Sequence, residues 1–237
     1  MDRCYNNDIS GMLLVDKPSN ITSFKVVKIL RKFLNVKKVG HCGTLDPAAS
    51  GLLLVLFGKA TKLQSRLIKK DKVYSSSFLL GMTTDTYDLD GKIFSIKEVP
   101  NISIEKIKIS AKNFEGEICQ VPPMYSALKI NGQRLYELAR KGIEINRDPR
   151  KIVVYKFDIL SFNKSVLNVK IHCSSGTYVR CLAKDLGDVL GCGATVKTLR
   201  REKIYKFDVK DALSFENTNN LDEVVRNIIP YKILVDI

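Results

Sequence analysis

The stretch GHCGTLDPAASG (Gly40–Gly51), which runs directly into the apolar segment LLLVLF (Leu52–Phe57), is the most informative part of this chain. Gly43 permits backbone angles that other residues resist. Pro47 fixes its own φ angle and disfavours a helical conformation of the residue before it, Asp46. The pattern predicts a stiff turn that presents a carboxylate to a ligand and is anchored by a buried strand or helix over 52–57.

Other interpretations of this stretch stay open when it is considered alone. An Asp before a Pro commonly initiates a turn, and Asp also caps helices. His41, five residues before Asp46, is by itself equally consistent with a surface or core histidine. The stretch therefore indicates a candidate functional carboxylate, and the rest of the chain has to decide between these roles.

The composition indicates a globular protein with a polyanionic partner. The chain has 237 residues, of which 45% are hydrophobic and 27% are charged, as is typical of globular proteins. Its 39 Lys and Arg residues outnumber its 25 Asp and Glu residues and give a net charge of +14. A positive field of this size attracts polyanions, so nucleic acid is the expected partner class.

Several other classes of protein are disfavoured. The N-terminal segment Met1–Ser10 has no apolar stretch, and no segment reaches the length of a membrane span, so we expect a cytoplasmic protein without a membrane partner. The sequence contains neither a complete phosphate-binding loop nor a dinucleotide fingerprint, which predicts that no cofactor is used. The six cysteines are scattered without the spacing of a zinc site, so we expect free thiols and no metal: Cys4, Cys42, Cys119, Cys173, Cys181 and Cys192.

The hydrophobic periodicity predicts separate helices and antiparallel strands. Thr22-Ser23 offers an N-cap to a helix that runs to Leu34. Alternating apolar residues predict strands over 74–80, 153–159 and 167–173, and a helical spacing follows over 179–189. The predicted apolar positions are Val26, Ile29, Leu30 and Phe33 in the first helix; Val153, Tyr155, Phe157 and Ile159 in one strand; Leu167, Val169, Ile171 and Cys173 in the next; and Val179, Leu182, Ala183, Leu186 and Val189 in the last helix. These elements predict an α+β fold with a central, mostly antiparallel sheet flanked by helices and loops.

Six motifs occur along the chain in the order found in one known family. They are Asp16-Lys17-Pro18 with Thr22-Ser23, Gly40–Gly51, Lys72-Val73-Tyr74, Thr84–Asp88, Gly176–Arg180 and Leu199-Arg200-Arg201. Together they resemble the motifs of the TruB family of tRNA pseudouridine synthases. The resemblance covers nearly the whole chain, and Asn20 stands where a glycine is usual in the family.

The resemblance implies a fold, a reaction and a domain organisation. It implies the pseudouridine synthase fold and the isomerisation of uridine-55 in the T-loop of tRNA by base flipping and an essential aspartate. It also implies that residues 1–213 form the catalytic domain. Residues 214–237 are expected to form a short extension that packs on the core, without the RNA-binding PUA domain that many bacterial members carry.

The resemblance assigns catalytic roles to Asp46, Tyr74 and Arg180. Asp46 would be the essential carboxylate, acting either as a nucleophile or by removing a proton from the ribose, and the sequence does not choose between these. Arg180 would pair with Asp46, whereas by itself it is also consistent with a surface residue in the first turn of a helix. Tyr74 would lie against the uracil, although a tyrosine in a strand is also consistent with a simple packing role.

The remaining predicted residues would bind the substrate. His41 would occupy the gap left by the flipped base, while Tyr178 and Leu199 would line the pocket for the uracil. Leu199 is equally consistent with a core residue. Lys17 and Pro18 are expected to support the floor of the site, and Asp88 is expected to contact the RNA loop.

The expected partner is the T-arm stem-loop of tRNA, bound by a monomer without a guide RNA. Two alternatives stay open. A guide-RNA-dependent relative would share the fold and modify other RNAs, and a non-catalytic RNA-binding module would share the basic surface without needing Asp46. Activity of the purified protein on an unmodified tRNA transcript separates the three.

Overall fold

The computed structural model describes residues 9–130 and 132–235. Its strands are β1 (Gly11–Lys17), β2 (Val39–Cys42), β3 (Ser50–Phe57), β4 (Lys72–Leu80), β5 (Met82–Thr84), β6 (Ile93–Ile96), β7 (Gly116–Gln120), β8 (Lys129–Ile130), β9 (Gln133–Arg134), β10 (Arg150–Asn163), β11 (Val166–Cys173), β12 (Ala194–Ile204), β13 (Phe207–Asp208), β14 (Leu213–Ser214) and β15 (Ile229–Pro230). Its α-helices are α1 (Ser23–Leu34), α2 (Gln64–Ile68), α3 (Ile104–Lys112), α4 (Leu135–Ala139), α5 (Val179–Val189), α6 (Leu221–Arg226) and α7 (Tyr231–Leu234). Short 3₁₀ segments cover Gly58–Leu63, Val209–Asp211 and Phe215–Asn219.

The contacts divide the chain into two compact units. The first unit comprises the chain up to Tyr74 and again from Leu199 onward, and the second comprises Ser75–Thr198. The division falls within β4 and β12, so each unit contains part of both strands. The predicted domain boundary at residue 213 stays a prediction.

The sheet of the first unit is built around β3. This strand pairs antiparallel with β1 along its length, from Gly11 opposite Phe57 to Lys17 opposite Gly51. On its other side β3 pairs antiparallel with β2 and, at Arg201 opposite Gly51, parallel with β12. The short strand β14 adds to β1 in parallel. Most pairings are antiparallel, which confirms the predicted α+β class.

The β3 strand is buried on both faces, because helices cover each side of this sheet. All residues from Leu52 to Phe57 are 0% exposed, so the segment predicted as a strand or helix is a buried strand. On one face, Leu53, Val55 and Phe57 pack with the inner side of α1. On the other face, Leu52, Leu54 and Leu56 pack with the 3₁₀ segment and α2.

The last part of the chain contributes to the same two hydrophobic clusters. Leu213 and Val224 pack in the cluster that α1 covers. Leu234 packs in the opposite cluster together with Leu63 and Leu67. The first unit is therefore held together by segments from both ends of the described chain.

The second unit is built on a long antiparallel hairpin of β10 and β11. The strand β7 pairs antiparallel with β10, and the strand order across this part of the sheet is β4-β11-β10-β7. The predicted inward residues of β11 are confirmed, since Leu167, Val169, Ile171 and Cys173 are all buried.

Three details of the predicted hydrophobic pattern are wrong. In α1 the inner face is Val26, Val27, Leu30 and Leu34, whereas Ile29 is 37% exposed. In β10 the buried residues before the register shift are Ile152 and Val154, so Val153 is only half-buried and Tyr155 is 51% exposed, whereas Phe157 after the shift is buried. In α5 the last residue, Val189, is 60% exposed. A bulge inserts an extra residue into a strand, and a simple period of two therefore loses its phase there.

Within the part of the chain that the structure describes, no helix has the length and apolarity needed to cross a bilayer.

Candidate active site

The predicted site residues belong to both units. Six lie in the first unit and three in the second: Lys17, Pro18, His41, Asp46, Tyr74 and Leu199 on the one hand, and Asp88, Tyr178 and Arg180 on the other. Within each unit the surroundings of these residues follow from hydrogen bonds between distant parts of the sequence.

The turn that carries Asp46 joins the end of β2 to the start of β3 and is fixed to the start of α1. The Ser23 hydroxyl donates to the carbonyl of Leu45 (3.1 Å) and accepts from its backbone N–H (2.9 Å). The N–H of Asn20 donates to the carbonyl of Pro47 (2.8 Å). Asp46 lies between these two anchored positions and is half-buried. The confirmed N-cap of α1, Thr22, therefore precedes the serine that holds the turn.

A buried arginine from β12 holds both ends of the same turn. Arg201 is 1% exposed, and its guanidinium donates from Nε to the carbonyl of Leu52 (2.8 Å) and from Nη2 to the carbonyl of Gly43 (3.0 Å). Gly51 packs on the backbone of this arginine at φ +101°, where an added Cβ would lie 2.3 Å from the Arg201 carbonyl oxygen. Glycine is required at this position for both its backbone angle and its lack of a side chain.

A buried lysine, Lys17, is bonded to the Asp46 turn. Lys17 is 0% exposed, and its ammonium donates to the carbonyls of Pro18 (2.9 Å), Ile21 (2.8 Å) and Pro47 (3.3 Å). Burial and the nearby charge of Arg201 lower the pKa of Lys17 to about 8, against an opposing contribution from Asp46. These contacts join Lys17 to the Asp46 turn through the carbonyl of Pro47, and its role in the floor of the site stays a prediction.

His41 lies in β2 with its ring partly enclosed. Its carbonyl accepts a hydrogen bond from Gln64 Nε2 (2.8 Å), while its ring Nδ1 is buried with no hydrogen-bond partner among the described residues. Burial and the positive charge of Arg201 lower the pKa of His41, against a backbone hydrogen bond to Gly43. The lowered pKa favours the uncharged imidazole.

Tyr74 and Leu199 occupy β4 and β12. Tyr74 is 9% exposed, and Leu199 is half-buried. Two residues before Tyr74, the buried ammonium of Lys72 donates to the carbonyls of Ile68 (2.7 Å) and Lys70. The Lys-Val-Tyr motif thus combines a lysine that fixes the preceding turn with a largely buried aromatic residue.

In the second unit, Arg180 is a buried cation in the first turn of α5. It is 4% exposed, which excludes the interpretation as a surface residue of the helix. Its guanidinium donates to the carbonyls of Thr86 (2.6 Å) and Tyr125 (2.8 Å), and its Nε lies 3.6 Å from Asp88 Oδ2. The other carboxylate oxygen of Asp88 accepts from the Thr86 hydroxyl (2.5 Å) and from the N–H of Asp90 (3.2 Å). The predicted pairing of Arg180 with Asp46 stays a prediction.

Tyr178 is held through its main chain by a buried glutamine. Its N–H donates to Gln120 Oε1 (2.8 Å), and its carbonyl accepts from Gln120 Nε2 (3.1 Å). The Tyr178 side chain is half-buried.

Among the described residues, no group of three or more histidine, cysteine, aspartate or glutamate side chains could hold a metal ion.

Three residues that hold these segments in place are not evident from the sequence pattern. Arg201, Ser23 and Gln120 were not predicted as site residues, although Arg201 and Ser23 lie inside the recognised motifs. Local pattern gives no reason to bury Arg201 in preference to Arg200, which forms a bidentate pair with Asp16 (3.0 and 2.7 Å). A carbonyl from a distant turn is a partner that periodicity does not reveal.

Comparison with protein families gives two adjoining matches. Residues 31–179 match the family model described as TruB family pseudouridylate synthase (N terminal domain). Residues 180–229 match the model described as tRNA pseudouridylate synthase B C-terminal domain. Together the matches include seven of the nine predicted site residues, all except Lys17 and Pro18.

Individual relatives agree with these matches. The chain is 63% identical over 230 residues to a tRNA pseudouridine synthase B of Endomicrobium trichonymphae, covering 97% of this chain and all of that protein. It is 44% identical to proteins of the same name from Clostridium tetani (92% of this chain, 76% of that protein) and Opitutus terrae (94% and 93%).

Solved structures share the fold. A chain of a Cbf5-Nop10-Gar1 complex superposes with a TM-score of 0.70 at 29% identity, over 93% of this chain and 60% of that chain. A chain of an H/ACA RNP bound to a substrate RNA containing 2'-deoxyuridine gives a TM-score of 0.67 at 26% identity, over 93% and 58%. This chain thus spans about 60% of the length of these structural neighbours.

Proposed function

The chain belongs to the TruB family of tRNA pseudouridine synthases, and we propose that it isomerises uridine-55 in the T-loop of tRNA after flipping the base out of its stack. As a pseudouridine synthase it is an isomerase. The N1–C1′ bond of the uridine breaks, a bond from C5 to C1′ forms, and the C5 proton moves to solvent as N1 gains one. The reaction conserves all atoms of the base and needs neither an oxidant nor an energy source.

The observation that best supports this proposal is the fixation of the Asp46 turn. Three side chains from distant positions, Lys17, Ser23 and Arg201, bond to its main chain or to its flanking carbonyls. A carboxylate that must meet a single carbon of the ribose needs such support, since misplacement of a reacting group by about 1 Å can cost a hundredfold in rate.

Two roles for Asp46 fit the arrangement. It could attack C1′ and form a covalent intermediate, or it could remove a proton from the ribose and release the base by elimination. Either role requires a carboxylate held at a fixed position rather than a mobile one. The buried ammonium of Lys17 and the guanidinium of Arg201 supply positive charge near this turn.

The remaining residues are proposed to bind the flipped uridine. A uridine in a folded loop must leave its stack before its C1′ can be reached. The His41 ring is suited to fill the space that the base leaves, because an uncharged imidazole stacks on bases at little desolvation cost. Tyr74, Tyr178 and Leu199 are proposed to contact the uracil, with Pro18 in the floor, Asp88 at the RNA loop and Arg180 as a catalytic cation.

We propose that the protein works as a monomer without a guide RNA. Its similar structures at 26–29% identity include chains of H/ACA complexes. Relatives at 44–63% identity are instead named as tRNA pseudouridine synthases, and one of them is matched along its full length. The closer relatives therefore favour direct recognition of tRNA.

The test uses purified wild-type protein and an unmodified tRNA transcript with no other RNA or protein present. Pseudouridine is mapped by chemical labelling and primer extension, with a transcript carrying cytidine at position 55 as the control. We expect one pseudouridine at position 55 and no product from the control transcript. Product only after addition of a guide RNA, product at other positions, or tight binding without product would each contradict the proposal.

A further inference from the structure

The positive charge of this protein is concentrated in one part of the first unit. Residues 17–70 contain 12 Lys and Arg residues and a single acidic residue, Asp46, so this stretch carries +11 of the total charge of +14. The remaining residues are therefore almost balanced, with 27 basic and 24 acidic side chains. Because most proteins intersperse charges of both signs on their surface, so uneven a distribution indicates a region with a specific polyanionic partner.

Within this region the outer face of α1 carries the most regular array. The four cations Lys25, Lys28, Arg31 and Lys32 are exposed, while the opposite face is buried in the core of the first unit. They recur at helical spacing along a helix of 12 residues, which corresponds to a length of about 18 Å. The helix contains no Asp or Glu, so none of these charges has a partner within its own helix.

Helix electrostatics accounts for only half of this array. Arg31 and Lys32 lie in the last turn, where a cation is favoured by the helix dipole. Lys25 lies in the first turn, where the dipole disfavours a cation and no acidic residue compensates. The position of Lys25 there is consistent with a role in binding a partner molecule.

An exposed aromatic side chain adjoins the cations. Phe24 is 71% exposed and stands four residues before Lys28 and seven before Arg31, which places the three on one side of the helix. The ring is therefore accessible to a stacking partner. Cationic side chains interleaved with an exposed aromatic ring are the combination that binds an RNA strand, through phosphates and through base stacking.

The helix also begins next to the candidate active site. Ser23, the residue before Phe24, forms the two hydrogen bonds that hold Leu45 beside Asp46. The cationic face therefore starts at the Asp46 turn and leads away from it. By contrast, the basic segment after β3 is partly engaged within the chain, since Arg66 donates to the carbonyl of Val235 and Lys70 lies over the ring of Tyr205.

We propose that the outer face of α1, formed by Phe24, Lys25, Lys28, Arg31 and Lys32, binds the tRNA backbone flanking the reacting nucleotide. This inference rests on the proposed function for the identity of the RNA. The cations contact consecutive phosphates, and Phe24 stacks on an unpaired or terminal base. Such contacts bind substrate and transition state equally, and they therefore lower KM without changing kcat.

The test compares two variants with matched controls by tRNA binding across a salt series. The first variant replaces Lys25, Lys28, Arg31 and Lys32 with Gln, and its control replaces four exposed lysines of the second unit, Lys92, Lys106, Lys108 and Lys170. The second variant is Phe24→Ala, with Phe94→Ala as the control because Phe94 is 78% exposed. Circular dichroism verifies that each variant is folded.

The expected result is a change confined to the α1 variants. Loss of four phosphate contacts should reduce the slope of log K against log[salt] by about 3 and weaken binding about tenfold or more. Phe24→Ala should weaken binding about tenfold with the salt slope unchanged. In both variants KM should rise with kcat retained, and the control variants should match the wild type.

Three outcomes would overturn the inference. One is an unchanged salt slope in the α1 variant, and another is an equal loss in the lysine control. The third is loss of binding to anionic phosphatidylglycerol vesicles with unchanged tRNA binding, which would make a membrane the partner of this face. If the wild type binds tRNA but makes no pseudouridine, the proposed function fails, whereas the salt slopes still decide whether α1 binds RNA.

Discussion

Among the described residues, each of the two units buries one arginine, and the two arginines have different hydrogen-bond and charge partners. Arg201 in the first unit bonds to the carbonyls of Gly43 and Leu52, and so joins the two ends of the Asp46 turn. Arg180 in the second unit also bonds to two carbonyls, but it has a carboxylate, Asp88, 3.6 Å away. Removing Arg201 therefore releases a turn, whereas removing Arg180 takes a cation from the half-buried carboxylate of Asp88, which keeps other donors.

The buried cations of the two units therefore have different kinds of partner. In the first unit, buried cations bond to main-chain carbonyls around the Asp46 turn. Lys17 follows the same rule, because all three of its named acceptors are backbone carbonyls. The second unit instead builds a local polar network in which Thr86 and Asp90 also bond to Asp88.

The largest effect is expected for Arg201→Met. Two carbonyls, one of them buried, lose their donor, which should lower the free energy of unfolding by about 4 kcal/mol. Hydrogen exchange should increase over residues 43–52, and kcat should fall by about a hundredfold because the Asp46 turn loses its fixed position. The control is Arg200→Met, which removes a half-exposed arginine from the same strand. Equal kcat losses in both variants would contradict a specific role for Arg201.

Arg180→Met should have a somewhat smaller effect on stability, about 3 kcal/mol. Asp88 keeps its hydrogen bonds from Thr86 and Asp90, which limits the cost of losing the cation. A double-mutant cycle with Asp88→Asn, measured by urea unfolding, should give a coupling energy of about 1 kcal/mol. A coupling of zero would show that the 3.6 Å ion pair contributes nothing to stability.

Gly51→Ala tests the contact between the turn and Arg201 without touching a charge. The added Cβ meets the Arg201 backbone at 2.3–2.9 Å, and the φ angle of +101° is itself strained for alanine. Gly142→Ala isolates the second contribution, because Gly142 has φ +72° and nothing within 4 Å of an added Cβ. We expect Gly51→Ala to cost about 2 kcal/mol more than the control in thermal unfolding. Equal costs would indicate that the turn can move away from Arg201.

A further effect, which depends on pH, is expected from the titration of Lys17. Its pKa is about 8 in the folded protein and 10.5 as the reference value, so between these values the unfolded chain binds the additional proton. Stability therefore gains a contribution from this group as pH rises from 8 to 10.5. The difference in unfolding free energy between wild type and Lys17→Met should grow in favour of the wild type over this range. The buried Cys42 thiol, whose pKa is raised to about 12, acts in the opposite direction and cancels in that difference.

The strands and helices could be predicted from the sequence more reliably than the side chains that hold the candidate site in place. The apolar run Leu52–Phe57 and the alternation in β11 lead directly to buried strands, because burial follows local pattern there. Tyr155 was placed wrongly because a bulge, which depends on pairing with β11, shifts the phase of β10. Ile29 was placed wrongly because its neighbours in α1 fix the helix rotation by packing against β3.

For the site, the motif predicted Asp46. The hydrogen bonds that hold its turn could not be derived from the neighbouring sequence. Arg201 is about 150 positions away from its carbonyl partners, and a buried arginine is unusual enough that composition argues against it. The same holds for Lys17, which ends an apolar strand and would be expected to reach solvent. Only the pairing of β12 with β3 brings Arg201 beside Gly51.

The most direct test of Asp46 as the catalytic carboxylate is the single-turnover rate of Asp46→Asn on tRNA transcript. The dissociation constant of this variant for tRNA is measured in parallel. The amide keeps the shape of the side chain and removes its charge, so we expect no detectable pseudouridine and tRNA affinity within a few-fold of the wild type. Asp90→Asn, on an exposed position of the second unit, should keep the wild-type rate. Product formation by Asp46→Asn at a rate near that of the wild type would contradict the assignment of the catalytic carboxylate.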